Sequence, residues 1–325
     1  MSAAGISIAL ALLSASTAPQ RIRIWGPPAM TGIVERWAEA YSRIHPNVSF
    51  KLVMKGSDTA IPGLYSGRAD IALMGRMNDA VDDNGFSRPM GYPLTRLAIT
   101  SGSVASPGKS DALAILVHED NPLSALSVAQ LGSILDCGSD SKRRPVSRWG
   151  ELGVQGTWSS KPIHIYTYDM ATRTGAFLQH IATGDRRRMC WDRLFEYADA
   201  RRLDGTLEPA AKRIGAAARK DPYALAIANA KEAVDGLKLV ALSWGPRKPF
   251  ILPTRSSVSS QTYPLSRRTF AFVNRRPGAA LEPKVVDFLS FVLSPAAQAM
   301  LEADRGYLPL DPQSAAVSRA ILGQQ

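Results

Sequence analysis

The chain has 325 residues, of which 45% are hydrophobic and 21% are charged, so it is long and apolar enough to bury the core of one or two globular domains. Its 39 Lys and Arg residues exceed its 28 Asp and Glu residues, and the formal net charge of +11 favours anions, acidic surfaces or nucleic acid as partners without choosing among them. Beyond residue 20 no apolar run reaches the roughly 18 residues of a membrane span, so we do not expect an integral membrane protein.

The N-terminus has features of an export signal. Residues 6–13 form a short apolar run, and the small residues at 14–18 that follow suit a signal peptidase. Residues 1–5 carry no Lys or Arg, so an atypical signal, a different start and an ordinary apolar segment all stay open. No Cys lies near the expected cleavage point, which argues against a lipid anchor. We predict a signal peptide over residues 1–20 and a mature protein that is exported and soluble.

Short strands and helices alternate from residue 21 onward, as in a parallel sheet that helices cover on both faces. Apolar spacing and turn residues predict strands at residues 21–25, 48–53, 70–73, 113–117 and 163–167. The same criteria predict helices at residues 33–44, 59–66, 127–135 and 285–293, and a further helix that opens near residue 172. Residues 100–110 are rich in Ser, Gly and Pro and are expected to form a loop.

The chain contains two cysteines, Cys137 and Cys190. In an exported chain they can pair and close a loop of moderate size, and two separate small thiols are the alternative. Neither cysteine lies in the spacing of a metal site or of a redox Cys-x-x-Cys motif, so we expect no metal at these positions.

Motifs that identify common enzymes are absent from the sequence. It has no nucleophile elbow, Walker loop, zinc-binding His-Glu pair or dinucleotide glycine run, and its four histidines are scattered. Basic runs at residues 142–144 and 186–188 lack the interleaved aromatic residues of a nucleic-acid motif. They are expected to be solvated loops, with anionic lipid or polysaccharide as alternative contacts. We predict a protein that is not an enzyme, needs no cofactor and binds no nucleic acid.

Three stretches in the second half carry a recognisable pattern: residues 253–254 read Pro-Thr, residues 262–267 read Thr-Tyr-Pro-Leu-Ser-Arg and residues 306–310 read Gly-Tyr-Leu-Pro-Leu. Together they resemble the closing third of the periplasmic phosphate-binding proteins that serve ABC transporters, and residues 113–123 resemble the same family. The resemblance implies an α/β fold of the two-lobed periplasmic-binding-protein type 2 class, in which each lobe has a mixed or parallel sheet flanked by helices.

The same resemblance implies a division of the chain and an activity. Lobe I would comprise residues 21–112 and 264–325, lobe II would comprise residues 113–263, and the ligand would lie in the cleft between them. The family captures inorganic phosphate or a similar oxyanion in the periplasm and delivers it to the membrane subunits of an ABC transporter. We expect a monomer that closes about its crossing segments near Ala112 and Tyr263. A binding-protein fold that has become a non-transport interaction or signalling protein is the alternative.

Four turns correspond to the places where this family holds its oxyanion, since strand-to-helix turns aim backbone N–H groups and helix dipoles at an anion. The first covers residues 26–31, and in it Pro28 and Ala29 stand where relatives carry a hydroxyl side chain. Proline also removes an N–H donor. Thr31 either restores a hydroxyl or serves as a helix N-cap. Ala29 and Thr31 are the site positions that the resemblance implies in this turn.

The second turn, residues 55–60, keeps the polar and flexible character of the family loop. The resemblance implies that Ser57 and Thr59 are hydroxyl donors to the oxyanion. Asp58 repels an anion unless a proton lies between them. It therefore either accepts a hydrogen bond from protonated phosphate, which sulfate does not offer, or caps a helix.

The third turn, residues 70–76, has Gly75 at the position where relatives carry a Ser. A hydroxyl is lost there, although the position still belongs to the implied site. Arg76 beside it either offers a forked guanidinium to the anion or pairs with a surface carboxylate. Asp70 at the start of the turn is expected to have a structural role.

In the fourth turn, residues 168–177, Thr172 and Thr174 match the Ser and Thr of the family, whereas Arg173 replaces a Gly. The Arg that relatives carry upstream is missing. Arg173 either supplies the lost cation, because a guanidinium matches a tetrahedral oxyanion, or blocks the cleft, because Gly is used where a ligand approaches the backbone closely.

Overall fold

The computed structural model of the chain describes residues 19–104, 106, 108–137, 144–184, 189–304 and 306–323. Nearly all of the predicted signal peptide and of the two basic runs lies outside these residues. The described strands are β1 (Gln20–Trp25), β2 (Val48–Val53), β3 (Ile71–Met74), β4 (Thr95–Ser101), β5 (Leu113–His118), β6 (Ala125–Ser127), β7 (His164–Tyr168), β8 (Leu194–Tyr197), β9 (Ala200–Arg201), β10 (Leu207–Glu208), β11 (Ala224–Asn229), β12 (Leu237–Ser243) and β13 (Arg268–Val273). The described α-helices are α1 (Thr31–Ile44), α2 (Ser57–Tyr65), α3 (Ala80–Met90), α4 (Val128–Leu135), α5 (Arg173–Ala182), α6 (Ala210–Ala218), α7 (Arg255–Ser259), α8 (Pro283–Val292), α9 (Pro295–Asp304) and α10 (Pro312–Gly323).

Helix α1 forms because its apolar residues recur at helical spacing. Ile33, Trp37 and Tyr41 are all buried on the sheet beneath, and each such side chain contributes roughly 1.5–3 kcal/mol. The indole N–H of Trp37 also donates to the carbonyl of Ala297 in α9 at 3.0 Å. This helix is therefore fixed both by its apolar stripe and by a buried hydrogen bond.

The first sheet has the strand order β2-β1-β3-β13-β4. Strands β2 and β3 run parallel to β1, whereas β13 is antiparallel to its neighbours β3 and β4. Helices α1, α8 and α9 pack around Trp37 and Phe288 on one face, and α2 and α3 pack around Phe86 and Phe272 on the other. In the described part of the chain no single helix has the length and hydropathy of a membrane span, and α8 with α9 meets those criteria as a pair bent by 54°.

The second sheet has the order β6-β12-β5-β11-β7-β8. Strand β5 is antiparallel to β11 and β12, whereas β7 is parallel to β11 and β8. Leu131 of α4, Leu178 of α5 and Trp149 lie in the core of one face, and Ile214 of α6 lies in the core of the other. Both sheets are mixed, whereas the alternation of strands and helices in the sequence predicted a parallel sheet. The antiparallel pairs were not predicted, because apolar strands that are buried on both faces do not reveal strand direction. The predicted fold class included this mixed arrangement.

Two chain segments connect the sheets, and they are hydrogen-bonded to each other. Tyr263 is fully buried, and its hydroxyl donates to the carbonyl of Leu113 at 2.8 Å. The N–H of Leu113 donates to the carbonyl of Leu265 at 3.2 Å, and the N–H of Gly102 donates to the carbonyl of Arg267 at 2.8 Å. The Thr-Tyr-Pro-Leu-Ser-Arg stretch is therefore the segment in which the chain returns to the first sheet.

The downstream Gly-Tyr-Leu-Pro-Leu stretch meets the same region. Ser101 at the end of β4 and Leu308 exchange backbone hydrogen bonds of 2.8 and 3.1 Å. The hydroxyl of Ser259 in α7 donates to the carbonyl of Pro309 at 2.8 Å. The stretches at residues 262–267 and 306–310 thus converge where the chain crosses between the sheets, and both form hydrogen bonds there.

Cys137 and Cys190 form a disulfide bond whose Cα atoms are 4.8 Å apart. Cys137 follows α4, and the N–H of Cys190 donates to the carbonyl of Leu135, the last residue of that helix, at 2.9 Å. Both partners belong to the part of the chain that builds the second sheet. The disulfide therefore closes a loop with a sequence separation of 53 residues within that part.

We expect the double substitution Cys137→Ser/Cys190→Ser to lower the free energy of unfolding by about 4 kcal/mol, because the unfolded chain regains the freedom of a loop of this length. Urea denaturation followed by circular dichroism measures the change. Dithiothreitol should destabilise the native protein to a similar extent and leave the double variant unaffected. A variant as stable as the native protein would contradict the prediction.

Candidate functional site

The predicted turns lie at the carboxyl ends of strands, except that residues 71–74 of the third turn are strand β3 itself. Two of the turns are in direct contact. The strands β1, β2 and β3 are parallel, so the turns after them lie at the same edge of the first sheet. The N–H of Gly56 donates to the carbonyl of Gly26 at 3.0 Å, which ties the second turn to the first. The fourth turn follows β7 of the second sheet.

Charged residues from three of these turns meet in one cluster. The guanidinium of Arg173 at the start of α5 donates from Nη2 to Oδ1 of Asp58 at 2.9 Å, and from Nη1 to Oδ2 of Asp79. Arg76 reaches the same Asp58 oxygen from Nη2 at 3.3 Å and also pairs with Asp82. We call these five residues the cleft cluster. It joins α5, which packs on the second sheet, to α2 and α3, which pack on the first.

Arg76 is the enclosed cation of the cleft cluster. Its side chain is 11% exposed, and that of its partner Asp82 is 9% exposed. Burial acts to lower the pKa of Arg76, but the hydrogen bond to Asp82 and the charges of Asp82 and Asp79 outweigh this effect and raise the pKa. Its Nη1 also donates to the carbonyl of Met77 at 2.9 Å. Of the two roles predicted for Arg76, the structure shows pairing with carboxylates.

Arg173 is the more accessible cation, with a side chain that is 45% exposed. It lies in the first turn of α5, where the helix dipole contributes partial positive charge. Thr172 caps this helix, because its Oγ1 accepts from the N–H of Gly175 at 3.2 Å. Arg173 therefore combines a forked guanidinium with a capped helix N-terminus, which together can hold an oxyanion.

The sequence analysis missed Asp79. This residue is the N-cap of α3: its Oδ1 accepts from the N–H groups of Val81 at 2.9 Å and Asp82 at 3.0 Å. Asp82 returns the contact by accepting from the N–H of Asp79 at 3.0 Å, which completes a capping box. An Asp at the N-cap position and a second acidic residue three positions later, in the first turn of the helix, are the sequence signal that predicts such a cap.

The two predicted N-cap alternatives are wrong. Thr31 is the first residue of α1, whose N-cap is Met30, and Asp58 is the second residue of α2, whose N-cap is Gly56. Asp58 is displaced from the cap because Gly56, at φ 143°, takes the backbone conformation that starts the helix. The Asp58 carboxylate is thereby left to contact the two arginines.

The remaining predicted positions do not belong to the cleft cluster, and one of them makes a local hydrogen bond instead. The hydroxyl of Thr59 donates to the carbonyl of Gly56 at 2.8 Å. Within the described residues, the side chains of Ala29, Thr31, Ser57 and Thr174 make no hydrogen bond or ion pair with the cleft cluster. These positions stay predictions of the sequence analysis.

A hydroxyl from elsewhere in the chain lies beside Gly75. The Ser110 hydroxyl donates to the carbonyl of Gly75 at 2.7 Å. A Cβ atom added at Gly75 would lie 2.7 Å from the Oγ atom of Ser110. Ser110 has a φ of 54°, in the left-handed region. Ser110 thus supplies, from the segment between β4 and β5, a hydroxyl next to the position where the Ser side chain is missing.

Arg267 connects the crossing segments to α5. Its guanidinium carbon lies 5.3 Å from the centre of the Phe177 ring, one helical turn after Arg173. Burial lowers the pKa of Arg267, while the charge of the buried Asp111 acts in the opposite direction. The last residue of the Thr-Tyr-Pro-Leu-Ser-Arg stretch therefore packs on the helix that carries the accessible cation, a contact that no local sequence signal indicates.

The architecture is that of two helix-covered mixed sheets joined by paired crossing segments, with the cleft cluster between them. Residues 13–296 match the family model described as the PBP superfamily domain, and the chain belongs to this superfamily. The predicted fold class is thereby confirmed.

Individual relatives share this fold. The phosphate-binding protein PstS of Pseudomonas aeruginosa is 28% identical over 291 residues, which are 88% of this chain and 81% of that protein. The crystal structure of PstS from Borrelia burgdorferi aligns with a TM-score of 0.61 at 15% identity, covering 90% of this chain and 99% of that one. An ABC-type phosphate transport receptor from Vibrio cholerae aligns with a TM-score of 0.52 at 19% identity, covering 88% and 99% of the two chains.

We expect Asp82→Asn to lower the free energy of unfolding by about 2 kcal/mol, because the enclosed Arg76 loses the nearest of its charged partners while the amide keeps an acceptor for the Asp79 N–H. Chemical denaturation measures the difference. The control is Asp83→Asn on the exposed side of the same helical turn, which should change stability by less than about 0.5 kcal/mol. Equal effects of the two substitutions would contradict a special role of the Arg76–Asp82 pair.

Proposed function

We propose that this chain is a solute-binding protein that captures phosphate or a related tetrahedral oxyanion between its two sheets and presents it to the membrane subunits of an ABC transporter. The observation that carries the proposal is Arg173, a half-exposed guanidinium at a capped helix N-terminus, which faces the turns of the first sheet. The likeness to the Pseudomonas aeruginosa phosphate-binding protein across 88% of the chain supports the choice of ligand. Named relatives are binding proteins, which fits a protein without catalytic activity.

Residues 21–112 with 264–325 form lobe I in this proposal, and residues 113–263 form lobe II. The strand pairing supports this division, since β13 lies between β3 and β4 whereas β5 to β8, β11 and β12 share the other sheet. Closure would take place about the crossing segments, where Tyr263 and Leu113 are hydrogen-bonded. Ala112, which precedes β5, is fully buried next to this bond.

In the closed cleft, Arg173 would donate two hydrogen bonds to oxygens of the ligand. Asp58 would accept a hydrogen bond from a phosphate that retains a proton, whereas sulfate has no proton to donate at neutral pH. This pairing favours phosphate over sulfate. Ser57 and Thr59 at the start of α2 and Thr174 in α5 are the further hydroxyls proposed to reach the ligand, with Gly75 and Ala29 as backbone positions.

The proposed location is the periplasm, with the protein exported as a soluble monomer. The disulfide between Cys137 and Cys190 supports an oxidising compartment, because such bonds are rare in the cytosol. The apolar run at residues 6–13 supports export.

A second candidate function is that of an interaction or signalling protein that no longer binds an anion. Arg173 forms ion pairs with Asp58 and Asp79. These pairs favour the second candidate, because a cation that already has two carboxylate partners binds an anionic ligand less strongly. The loss of N–H donors at Pro27 and Pro28 in the first turn also favours the second candidate, because fewer backbone groups are left to bind an anion.

Phosphate should raise the melting temperature of the purified protein at low salt, because a ligand that binds the folded state stabilises it, and sulfate should not. Arg173→Ala should weaken phosphate binding at least about tenfold in isothermal titration calorimetry, since it removes charge-assisted hydrogen bonds. The matched control is Arg202→Ala, which removes an exposed arginine paired with Glu208 on the β9–β10 hairpin. No response to phosphate, sulfate, arsenate or molybdate would contradict anion capture and favour the second candidate.

A further inference from the structure

Arg173 is held by residues that do not belong to its own sheet. It lies at the start of α5, which packs on the second sheet, yet the carboxylates that it contacts belong to the first-sheet side. Asp58 is 115 residues away in sequence and Asp79 is 94 residues away. A guanidinium fork that donates to two carboxylate oxygens makes the contacts that it would make with a tetrahedral oxyanion. Two carboxylates of the protein, those of Asp58 and Asp79, therefore connect the first-sheet side of the cleft to Arg173 on the second-sheet side.

The two carboxylate oxygens of Asp79 have different partners. Oδ1 accepts from backbone N–H groups and caps α3, as described above. Oδ2 faces Arg173 and lies 3.7 Å from Nη1 of Arg76. Burial acts to raise the pKa of Asp79, but the backbone hydrogen bond and the two arginine charges outweigh it, so the pKa is lowered and the carboxylate is ionised at neutral pH. The helix cap thus fixes an anion at the point where it meets Arg173.

We propose that Asp79 competes with the ligand for Arg173: its carboxylate holds Arg173 in the ligand-free protein, and an incoming oxyanion has to displace it. In the absence of ligand, the Asp79–Arg173 pair, together with the contact between Asp58 and Arg173, keeps the two sheets close together. The ligand then exchanges with a carboxylate instead of entering an empty site. The competition with ligand rests on the proposed function, whereas the contact between the sheets does not.

The Asp79–Arg173 pair has two physical consequences, one for the response to salt and one for the affinity for ligand. The side chains of Asp79 and Arg173 are 40% and 45% exposed, so salt screens their attraction. The closed population of the ligand-free protein therefore falls as the salt concentration rises. The apparent affinity for an oxyanion is lower than the intrinsic affinity, because part of the binding free energy is used to break the internal pair.

The test is Asp79→Asn, with Asp83→Asn as the matched control. Asparagine is as good an N-cap as aspartate, so α3 keeps its start while Arg173 loses an ionic partner. Asp83 lies in the same first turn of α3 and is exposed, and its carboxylate accepts from the Asn78 amide and not from Arg173. The two substitutions therefore remove the same charge from the same helix turn and differ in the contact with Arg173.

The first measurement is small-angle X-ray scattering of the full-length, ligand-free protein. At low salt, Asp79→Asn should have a larger radius of gyration than the native protein and Asp83→Asn. The native protein should expand toward the value of Asp79→Asn as NaCl rises from about 20 mM to about 1 M, where the Debye length falls to about 3 Å. Identical radii for the native protein and Asp79→Asn at low salt would overturn the role of Asp79 in holding the sheets together, because the contact between Asp58 and Arg173 would then be sufficient.

The second measurement is the affinity for inorganic phosphate by isothermal titration calorimetry. Asp79→Asn should bind phosphate roughly tenfold more tightly than the native protein and Asp83→Asn, since one charge-assisted contact no longer competes. Equal affinities of the native protein and Asp79→Asn would overturn the competition. If none of the three proteins binds phosphate, the proposed function fails, and the scattering result alone decides whether Asp79 holds the sheets together.

Discussion

The chain crosses between its two sheets twice at the same place, and the rest of the structure depends on this double crossing. The hydroxyl of the fully buried Tyr263 and the backbone of Leu265 meet Leu113, so each crossing segment is held by the other. The position of these segments fixes which edges of the two sheets face each other. That arrangement brings α5 of one sheet opposite α2 and α3 of the other, and the cleft cluster is its direct result.

The sequence predicted those parts of the fold that have local causes. Helix α1 was predictable because its buried residues follow one helical face, and β5 because it is apolar from Leu113 to Val117. Helix α3 was missed because it buries little more than Asp82 and Phe86 and therefore has no apolar stripe, and its start depends on a capping box instead. Strand direction was not predictable, since burial on both faces is compatible with either direction.

The same distinction applies to the site. Asp58, Arg76 and Arg173 could be identified because each is a charged residue in a turn that follows a strand. Their pairing could not, since contacts over 94 and 115 residues arise from the opposition of the two sheets and leave no local pattern. The Ser110 hydroxyl is a similar case, because a residue from a distant segment lies beside Gly75, where the sequence alone indicated only the loss of a hydroxyl. Sequence reasoning thus located the turns but not the partners that their residues contact.

The place of β13 in the first sheet determines when that sheet can form. Strands β3 and β4 do not touch as neighbours, because β13 lies between them and pairs with both. A nascent chain therefore lacks the middle of this sheet until residue 273 has been synthesised, while all strands of the second sheet are already complete at residue 243. The second sheet can assemble first, and the first sheet closes last, through contacts of high sequence separation that form slowly. A chain that ends before residue 268 would therefore carry all the strands of the second sheet but an interrupted first sheet, in which β3 and β4 have no strand between them.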